Sequence, residues 1–227
     1  MPLCAGCRGD LPANAPACPR CAAPVPAAVP ACARCLRRPP PFDSVFAPFR
    51  YAWPLDAALL GWKAGGDPEL GRLLEGLFAE AVAALLAAGA LPRPEALVPV
   101  PLHGRRLRER GFDQAGRLAR AAARAAGLPV AWGLVRRVRA TPVQSGLGPA
   151  ARRRNVRGAF ALARAGPLPW RSVALVDDVL TTGATATELV RLLRRAGARE
   201  VAVWTLLRTA PAVPRRGTVP RGPVASP

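Results

Sequence analysis

Two adjacent carboxylates and three threonine hydroxyls lie between positions 176 and 185 of the sequence. The acids are Asp177 and Asp178, and the residues that follow include Thr181, Thr182, Gly183, Ala184 and Thr185. Hydroxyls and main-chain N–H groups at the start of a helix bind anions, phosphate among them. Nearby carboxylates accept hydrogen bonds from sugar hydroxyls. The pattern therefore predicts a site for a phosphorylated sugar, and the alternative is a capped helix with both acids on a solvated edge.

The composition of this run excludes two common nucleotide-binding loops. A Walker A loop ends in glycine followed by lysine, and a Rossmann fingerprint needs three glycines. The run contains one glycine, Gly183, and the only lysine of the chain is Lys63. We therefore expect a different kind of phosphate site.

A second charged group follows another apolar run, residues 97–101. It contains the single histidine His103, the acid Glu109 and four arginines: Arg105, Arg106, Arg108 and Arg110. Because ligands bind at the carboxyl ends of parallel strands, this group is predicted to face the first site. Arginine binds phosphate oxygens in pairs, so these four are predicted to hold a pyrophosphate. A solvated surface loop is the alternative, and a ligand contact by His103 is left open.

Seven arginines and no acid lie between residues 135 and 158. They are Arg136, Arg137, Arg139, Arg152, Arg153, Arg154 and Arg157. One interpretation is a mobile lid that excludes water from the pocket. The other is contact with a nucleic-acid backbone, which uncompensated positive charge attracts, although 5% aromatic residues give little support to a base-stacking platform. The side chains assigned to this lid or DNA contact are Gln144, Arg152, Arg153 and Arg154.

All six cysteines precede residue 36, in three Cys-x-x-Cys pairs. The pairs Cys18/Cys21 and Cys32/Cys35 have the spacing of a four-thiolate zinc site, which is structural because it leaves no open position. Cys4 and Cys7 remain outside this assignment. A site made by the first two pairs is the alternative.

The chain has 227 residues, a formal charge of +19 and 51% apolar residues. It is long enough for one domain with a real core and a small module, and its charge favours a polyanionic partner. No apolar run follows the first residue, and the longest apolar stretch, residues 77–91, is shorter than the roughly 20 residues of a membrane span. We therefore expect a cytoplasmic protein with reduced cysteines.

Alternating strands and helices must position these groups. Predicted helices cover residues 54–63, 68–88, 112–126 and 185–196, and predicted strands cover residues 45–51, 96–101, 173–176 and 201–207. This alternation indicates an α/β fold with a parallel sheet. The predicted divisions are a cysteine-rich module over 1–40, the α/β domain over 45–208 and a disordered Pro/Arg-rich tail over 209–227.

The acidic pair followed by a Thr-Thr-Gly turn resembles the signature of type I phosphoribosyltransferases. The resemblance implies that Asp177 and Asp178 are the catalytic acids and hold the ribose 2′ and 3′ hydroxyls, while residues 181–185 cradle the 5′-phosphate. It also implies phosphoribosyl pyrophosphate and Mg²⁺ as ligands. Members specific for 6-oxopurines carry an acid where this chain has Thr181, so that activity is disfavoured.

Further motifs resemble the ComF family, which is related to bacterial competence and has a zinc ribbon before a phosphoribosyltransferase-like domain. The matching segments are residues 98–102, 110–115, 141–144 and 158–160, together with Lys63, Arg152, Asn155 and the cysteines. Where this chain has Asp113, the family usually has asparagine.

The resemblance implies one of two functions. The first is Mg²⁺-dependent transfer of a phosphoribosyl group to an unknown acceptor. The second is a non-catalytic competence accessory protein that binds single-stranded DNA, or partner proteins of the competence machinery, and uses the pocket as a sensor. A zinc-ribbon transcription factor would not explain the acidic pair.

Overall fold

A computed structural model describes residues 3–140, 149–164 and 166–210. The helices are α1 (Ala5–Gly9), α2 (Ala33–Arg37), α3 (Leu55–Gly65), α4 (Pro68–Ala87), α5 (Gly104–Arg110), α6 (Gln114–Ala126), α7 (Pro149–Val156) and α8 (Ala184–Arg195). The strands are β1 (Ser44–Phe46), β2 (Phe49–Arg50), β3 (Ala96–Pro99), β4 (Val135–Arg137), β5 (Phe160–Leu162), β6 (Ser172–Leu180) and β7 (Glu200–Arg208). The tail predicted to be disordered lies outside the described residues from position 211 onward.

Strands β1, β2, β3, β6 and β7 form one sheet in the order β1-β7-β6-β3, with β2 also beside β7. Every strand pair in it is parallel. β1 and β2 follow one another along the same flank of β7, where Phe46 lies opposite Trp204 and Phe49 opposite Leu207. Strand β3 lies along the far flank of β6. The predicted parallel sheet flanked by helices is thus confirmed.

The sheet separates two cores, because successive residues of a strand point to opposite faces. Val173 and Leu175 pack on one face with α8 and the buried cysteines. Ala174 and Val176 pack on the other face with residues of α3, α4 and α6. Burial on both faces explains why β6 begins as an unbroken apolar run.

Two predicted helix boundaries are confirmed. The carboxylate of Asp67 accepts hydrogen bonds from the N–H groups of Glu69 and Leu70, at 2.8 and 3.2 Å, and Pro68 is the first residue of α4. Gly127 ends α6 in the left-handed conformation, with φ +61°. These local signals need no tertiary contact to act.

Three elements differ from the predictions. Strand β6 continues beyond residue 176 to Leu180, because β7 pairs with it along that length. The arginines after β3 lie on the short helix α5. The segment that starts at residue 135 begins with β4, which pairs antiparallel with β5, and it includes α7. No helix among the described residues combines the length and apolar character needed to cross a membrane.

Candidate functional site

The phosphate loop, residues 181–185, joins β6 to α8. Gly183 stands at the N-cap position of α8 with φ +76°, a left-handed conformation that favours glycine. A side chain at this position would begin 3.5 Å from the ring of Phe42. The Ala184 N–H donates to the Thr182 hydroxyl at 3.4 Å. The loop therefore gathers amides and hydroxyls at the N-terminus of a 12-residue helix, where an anion is stabilised.

The acidic pair, Asp177 and Asp178, lies in the last part of β6, immediately before this loop. Oδ1 of Asp177 accepts a hydrogen bond from the Asp178 N–H at 2.8 Å. Oδ2 of Asp178 lies 2.5 Å from Nζ of Lys63, near the end of α3, and the two side chains are 15% and 25% exposed. Lys63 therefore brings a cation from a distant part of the chain to the predicted sugar site.

Burial is the largest cause that raises the pKa of Asp177 well above its ordinary value, and the adjacent charge of Asp178 raises it further. The Lys63 ammonium and the Asp178 N–H oppose this rise. Two carboxylates this close do not ionise independently. A ligand that brings a metal ion or hydroxyl donors to the pair would favour its ionised form.

The four predicted pyrophosphate ligands on α5 fall into two groups. Arg106 and Arg110 are half-buried and one helical turn apart, so they share a face. The charge of Asp178 reaches the Arg110 guanidinium, although burial is the larger effect and lowers the pKa of Arg110. Arg105 and Arg108 are exposed, and Nε of Arg105 pairs with Glu109 at 2.8 Å.

His103 caps α5, because its Nδ1 accepts a hydrogen bond from the Arg105 N–H at 3.2 Å. This contact gives the only histidine of the sequence a structural role. The structure therefore brings Arg106 and Arg110 toward the acidic pair, but it does not bring all four arginines there.

Arg137, the last residue of β4, is a further cation of the site. Burial lowers the pKa of Arg137, the charge of Arg106 lowers it further, and Asp177 opposes both. Its guanidinium lies 5.5 Å from the centre of the Phe160 ring. Sequence reasoning placed Arg137 in the basic segment and left Lys63 out of the site. The status of Lys63 as the only lysine among 33 basic residues was the available signal for it.

Two polar atoms at the start of α6 are buried beside the site. Oδ1 of Asp113 and Nε2 of Gln114 have no hydrogen-bond partner among the described residues. Burial raises the pKa of Asp113 against the effect of the Gly116 and Ala115 amides, and the charges of Asp178 and Arg110 also reach it. A protonated Asp113 carboxyl would donate a hydrogen bond at this position.

The predicted lid or DNA contact is described only in part. Gln144 and the side chains of Arg152 and Arg153 lie outside the described residues. Arg154 lies on α7 with its side chain exposed. Its role stays a prediction.

The cysteine cluster consists of Cys18, Cys21, Cys32 and Cys35, whose sulfur atoms all lie within 4.8 Å of one another. Sγ of Cys21 and Sγ of Cys32 are 3.7 Å apart. A tetrahedral zinc ion with bonds of about 2.3 Å requires sulfur atoms about 3.8 Å apart, so the cluster has the size for zinc. Cys4 and Cys7 are exposed and belong to no such group among the described residues.

The protonation chemistry of the cluster also fits a cation. Burial opposes ionisation of Cys18, but the amides of Cys32, Arg20 and Cys21 outweigh it and lower the pKa of Cys18 to about 7. Burial and the neighbouring thiols raise the pKa of Cys35. Four thiolates so close together repel one another, and a bound metal ion would remove that repulsion.

A cavity of about 550 Å³ lies away from these groups, lined in part by Trp132, Leu134, Arg164 and Trp170. It contains none of the residues predicted to bind the sugar phosphate. The candidate site is therefore the open edge of the sheet where β6 ends, and this cavity is separate from it.

Comparison with characterised sequences finds relatives over most of the chain. Competence protein F of Haemophilus influenzae is 37% identical over 174 residues, which cover 76% of this chain and 76% of that protein. DNA utilization protein YhgH of Salmonella typhi is 36% identical over 174 residues, with coverage of 77% and 76%. YhgH of Escherichia coli K12 is 36% identical over 176 residues, with the same coverage.

Comparison with solved structures gives partial overlaps. A glutamine phosphoribosylpyrophosphate amidotransferase from B. subtilis matches with a TM-score of 0.39 and 25% identity, over 60% of this chain but only 26% of that chain. A purine phosphoribosyltransferase from Pyrococcus horikoshii matches with a TM-score of 0.33 and 14% identity, over 66% and 90%. No family model matches the sequence.

Proposed function

Since this chain belongs to the ComF family of competence-related proteins, we propose that its pocket binds phosphoribosyl pyrophosphate together with Mg²⁺. One observation carries the proposal: the phosphate loop, the acidic pair and a set of cations meet at the carboxyl ends of β3 and β6. Parallel sheets bind their ligands at this edge. Lys63 pairs with Asp178, the charge of Asp178 reaches Arg110 and that of Asp177 reaches Arg137. The charge of Arg106 reaches both of these arginines.

Each part of the ligand has a matching group in the pocket. The 5′-phosphate would accept hydrogen bonds from the amides and hydroxyls of residues 181–185. The ribose hydroxyls would donate to Asp177 and Asp178. Mg²⁺ prefers carboxylate and phosphate oxygens, so Asp177 and Asp178 are the residues that would hold it, where it would offset the negative charge of the pyrophosphate. Arg106 and Arg110 would neutralise the remaining charge.

We further propose that this arrangement supports transfer of the phosphoribosyl group. The bond between C1 of the ribose and the pyrophosphate oxygen breaks, and its electron pair leaves with the pyrophosphate. An acceptor nucleophile forms the new bond to C1 and gives up its proton. Fixed cations around the leaving group lower the barrier. Pyrophosphate release in a screen of nucleobases is the result expected of an enzyme, and its absence from a protein that binds the ligand would indicate a sensor.

We also propose that the cysteine cluster holds a structural zinc ion. Four thiolates would fill its tetrahedral coordination, so the ion would bind no substrate. The ion would stabilise the residues around the cluster. This segment is rich in proline and alanine and lacks the periodicity of a helix or strand, so it does not stabilise itself.

Calorimetric titration with phosphoribosyl pyrophosphate and Mg²⁺ tests the binding site. Asp178→Ala should weaken binding about tenfold, because a charged hydrogen-bond acceptor is lost. The loss is limited because the Lys63 ammonium, freed from its 2.5 Å contact with Asp178, attracts the diphosphate.

Glu109→Gln is the matched control for this titration. It removes a negative charge from the exposed side of α5 without changing the acidic pair. Its affinity should equal that of the unmodified protein. Equal and weak binding by all three proteins would reject the proposed ligand.

Single-stranded DNA is a second candidate ligand, favoured by the exposed surface beside β4. Trp132, 52% exposed, lies three residues before that strand, and the Arg120 guanidinium is 5.3 Å from its ring centre. Arg136 and Arg139 are exposed on the same segment. Exposed aromatic rings among arginines suit base stacking and backbone contact.

Binding of an oligothymidine at several salt concentrations tests this surface. Trp132→Ala should weaken binding by about 1–3 kcal/mol with an unchanged salt dependence. Arg139→Ala should reduce the slope of log K against log salt by about 1. Arg124→Ala, an exposed arginine of α6, is the control for net charge and should change neither quantity. If all three variants bind alike, the surface beside β4 is not the DNA site.

A further inference from the structure

Arg208, the last residue of β7, joins the cysteine cluster to the phosphate loop. Its side chain is buried, with 2% exposed. Nε donates to the Cys21 carbonyl at 2.9 Å, and Nη1 donates to the carbonyls of Leu180 and Thr181 at 2.8 Å each. One planar group thus contacts the main chain of a cluster cysteine and the first peptide units of the loop.

Main-chain carbonyls, and not a counter-ion, are the main partners of Arg208. No carboxylate of the described ranges forms an ion pair with it. A zinc ion held by four thiolates leaves net negative charge on the sulfur atoms. A metal ion bound by the cluster would also fix the main chain at Cys21, whose carbonyl accepts from Arg208.

Two other residues extend the same contact. Arg34, which lies between two cluster cysteines on α2, donates from Nη2 to the Thr182 carbonyl at 2.9 Å. The ring of Phe42 lies behind Gly183. Each of the carbonyls of residues 180–182 consequently accepts from an arginine on the cluster side of the loop, and that of Leu180 also accepts from the Thr209 N–H at 3.2 Å.

The orientation of these carbonyls determines where the loop can bind an anion. A trans peptide unit is planar, and its carbonyl and its N–H point in opposite directions. The carbonyls of Leu180, Thr181 and Thr182 share peptide units with the N–H groups of Thr181, Thr182 and Gly183. Because the carbonyls of Thr181 and Thr182 accept from Arg208 and Arg34, the N–H groups of Thr182 and Gly183 point away from these arginines. The N–H of Thr181 is oriented both by Arg208 and by the Thr209 N–H, which also donates to the Leu180 carbonyl.

We propose that Arg208 and Arg34 are positioning residues through which the metal state of the cysteine cluster sets the anion affinity of the phosphate loop. The identity of the ligand in this inference, phosphoribosyl pyrophosphate, rests on the proposed function. The coupling is reciprocal by thermodynamic necessity, so the bound ligand must also slow the loss of the metal. Neither residue needs to touch the ligand or the metal.

Hydrogen exchange of the loop, measured on the full chain without any ligand, tests the coupling directly. After zinc is stripped and the chelator removed by buffer exchange, the amides of residues 181–183 should exchange at least about tenfold faster. Arg208→Gln should speed their exchange to a similar extent with zinc still bound. Arg34→Gln, a change at an exposed residue that the fold tolerates, should have a smaller effect of about threefold.

Arg93→Gln is the matched control. Nη2 of Arg93 donates to the carbonyls of Ala126 and Gly127, so the variant removes the same kind of contact elsewhere. It should leave exchange in the loop unchanged. Unchanged loop exchange in both stripped protein and Arg34→Gln would overturn the inference.

Titration with phosphoribosyl pyrophosphate and excess Mg²⁺ separates the two proposals. Affinity about tenfold lower in the stripped protein, with slower zinc release to a coloured chelator when the ligand is present, is the expected result. Ligand binding that is independent of zinc and of both arginines would reject the coupling alone. No binding by the intact protein would reject the proposed ligand, and the exchange measurements would still decide the coupling.

Discussion

Cys35→Ser should remove the metal from the cysteine cluster and lower the melting temperature by more than about 10 °C. A structural zinc ion contributes about 10–16 kcal/mol of apparent binding free energy in isolated zinc-finger peptides. Each kcal/mol lost corresponds to roughly 2–4 °C in a chain of this size. Cys35 is 4% exposed and packs in the same core as Leu175 and Val203, so the damage should reach the sheet. Zinc content and thermal unfolding measure the two effects.

Cys4→Ser is the control, because Cys4 is exposed and lies outside the cluster. It should retain the metal and the melting temperature. Metal loss in Cys4→Ser, with zinc retained in Cys35→Ser, would mean that the ion is held by the first two cysteine pairs instead.

Asp177→Asn should weaken binding of phosphoribosyl pyrophosphate and Mg²⁺ by up to about a hundredfold and stabilise the free protein at neutral pH. The first effect follows from the loss of a charged acceptor, which contributes about 1.5–3 kcal/mol per hydrogen bond, at the residue proposed to hold the metal ion. The second follows from removal of a partly buried charge beside Asp178. Stability and affinity are therefore expected to change in opposite directions.

The pH dependence of the stability gain has a definite sign. The pKa of Asp177 is raised in the folded protein, so the folded chain holds a proton that the unfolded chain releases. Below the ordinary pKa of aspartate, about 3.9, both states are protonated and the substitution gains nothing. The gain grows as the pH rises toward the raised pKa and is complete above it. Ligand affinity of the unmodified protein should rise over the same interval.

Thermal unfolding at neutral and acidic pH measures this gain as the difference between variant and unmodified protein. Glu200→Gln, an exposed carboxyl on β7, is the control and should change stability by less than about 0.5 kcal/mol at either pH. A stability gain at acidic pH only, or destabilisation at neutral pH, would contradict the conclusion that the ionised Asp177 carboxylate destabilises the folded protein.

The strand, loop and helix around the acidic pair could be predicted because their signals are local. An apolar run, a turn with one glycine and a helix that stops at Gly197 follow one another along the sequence. The start of α4 at Asp67 was predictable for the same reason. Such signals act within a few residues and do not depend on the rest of the fold.

Residues that reach the site from elsewhere could not be predicted in the same way. Lys63 meets Asp178 only because α3 packs against the sheet, and Arg137 arrives on a strand pair with no periodic signal. Arg208 directly follows the predicted apolar strand 201–207, and its guanidinium connects two distant segments. These contacts depend on tertiary packing, which no spacing rule encodes.

The two edges of the main sheet restrict how other molecules can attach. On one edge β1 and β2 cover β7 as pieces of 3 and 2 residues, and on the other Leu97 of β3 is bridged by Val130. Neither edge, within the part of the chain that the structure describes, offers a long row of free main-chain groups. An additional strand from another protein would find little to pair with. Side chains are therefore the groups through which these two edges can contact another molecule.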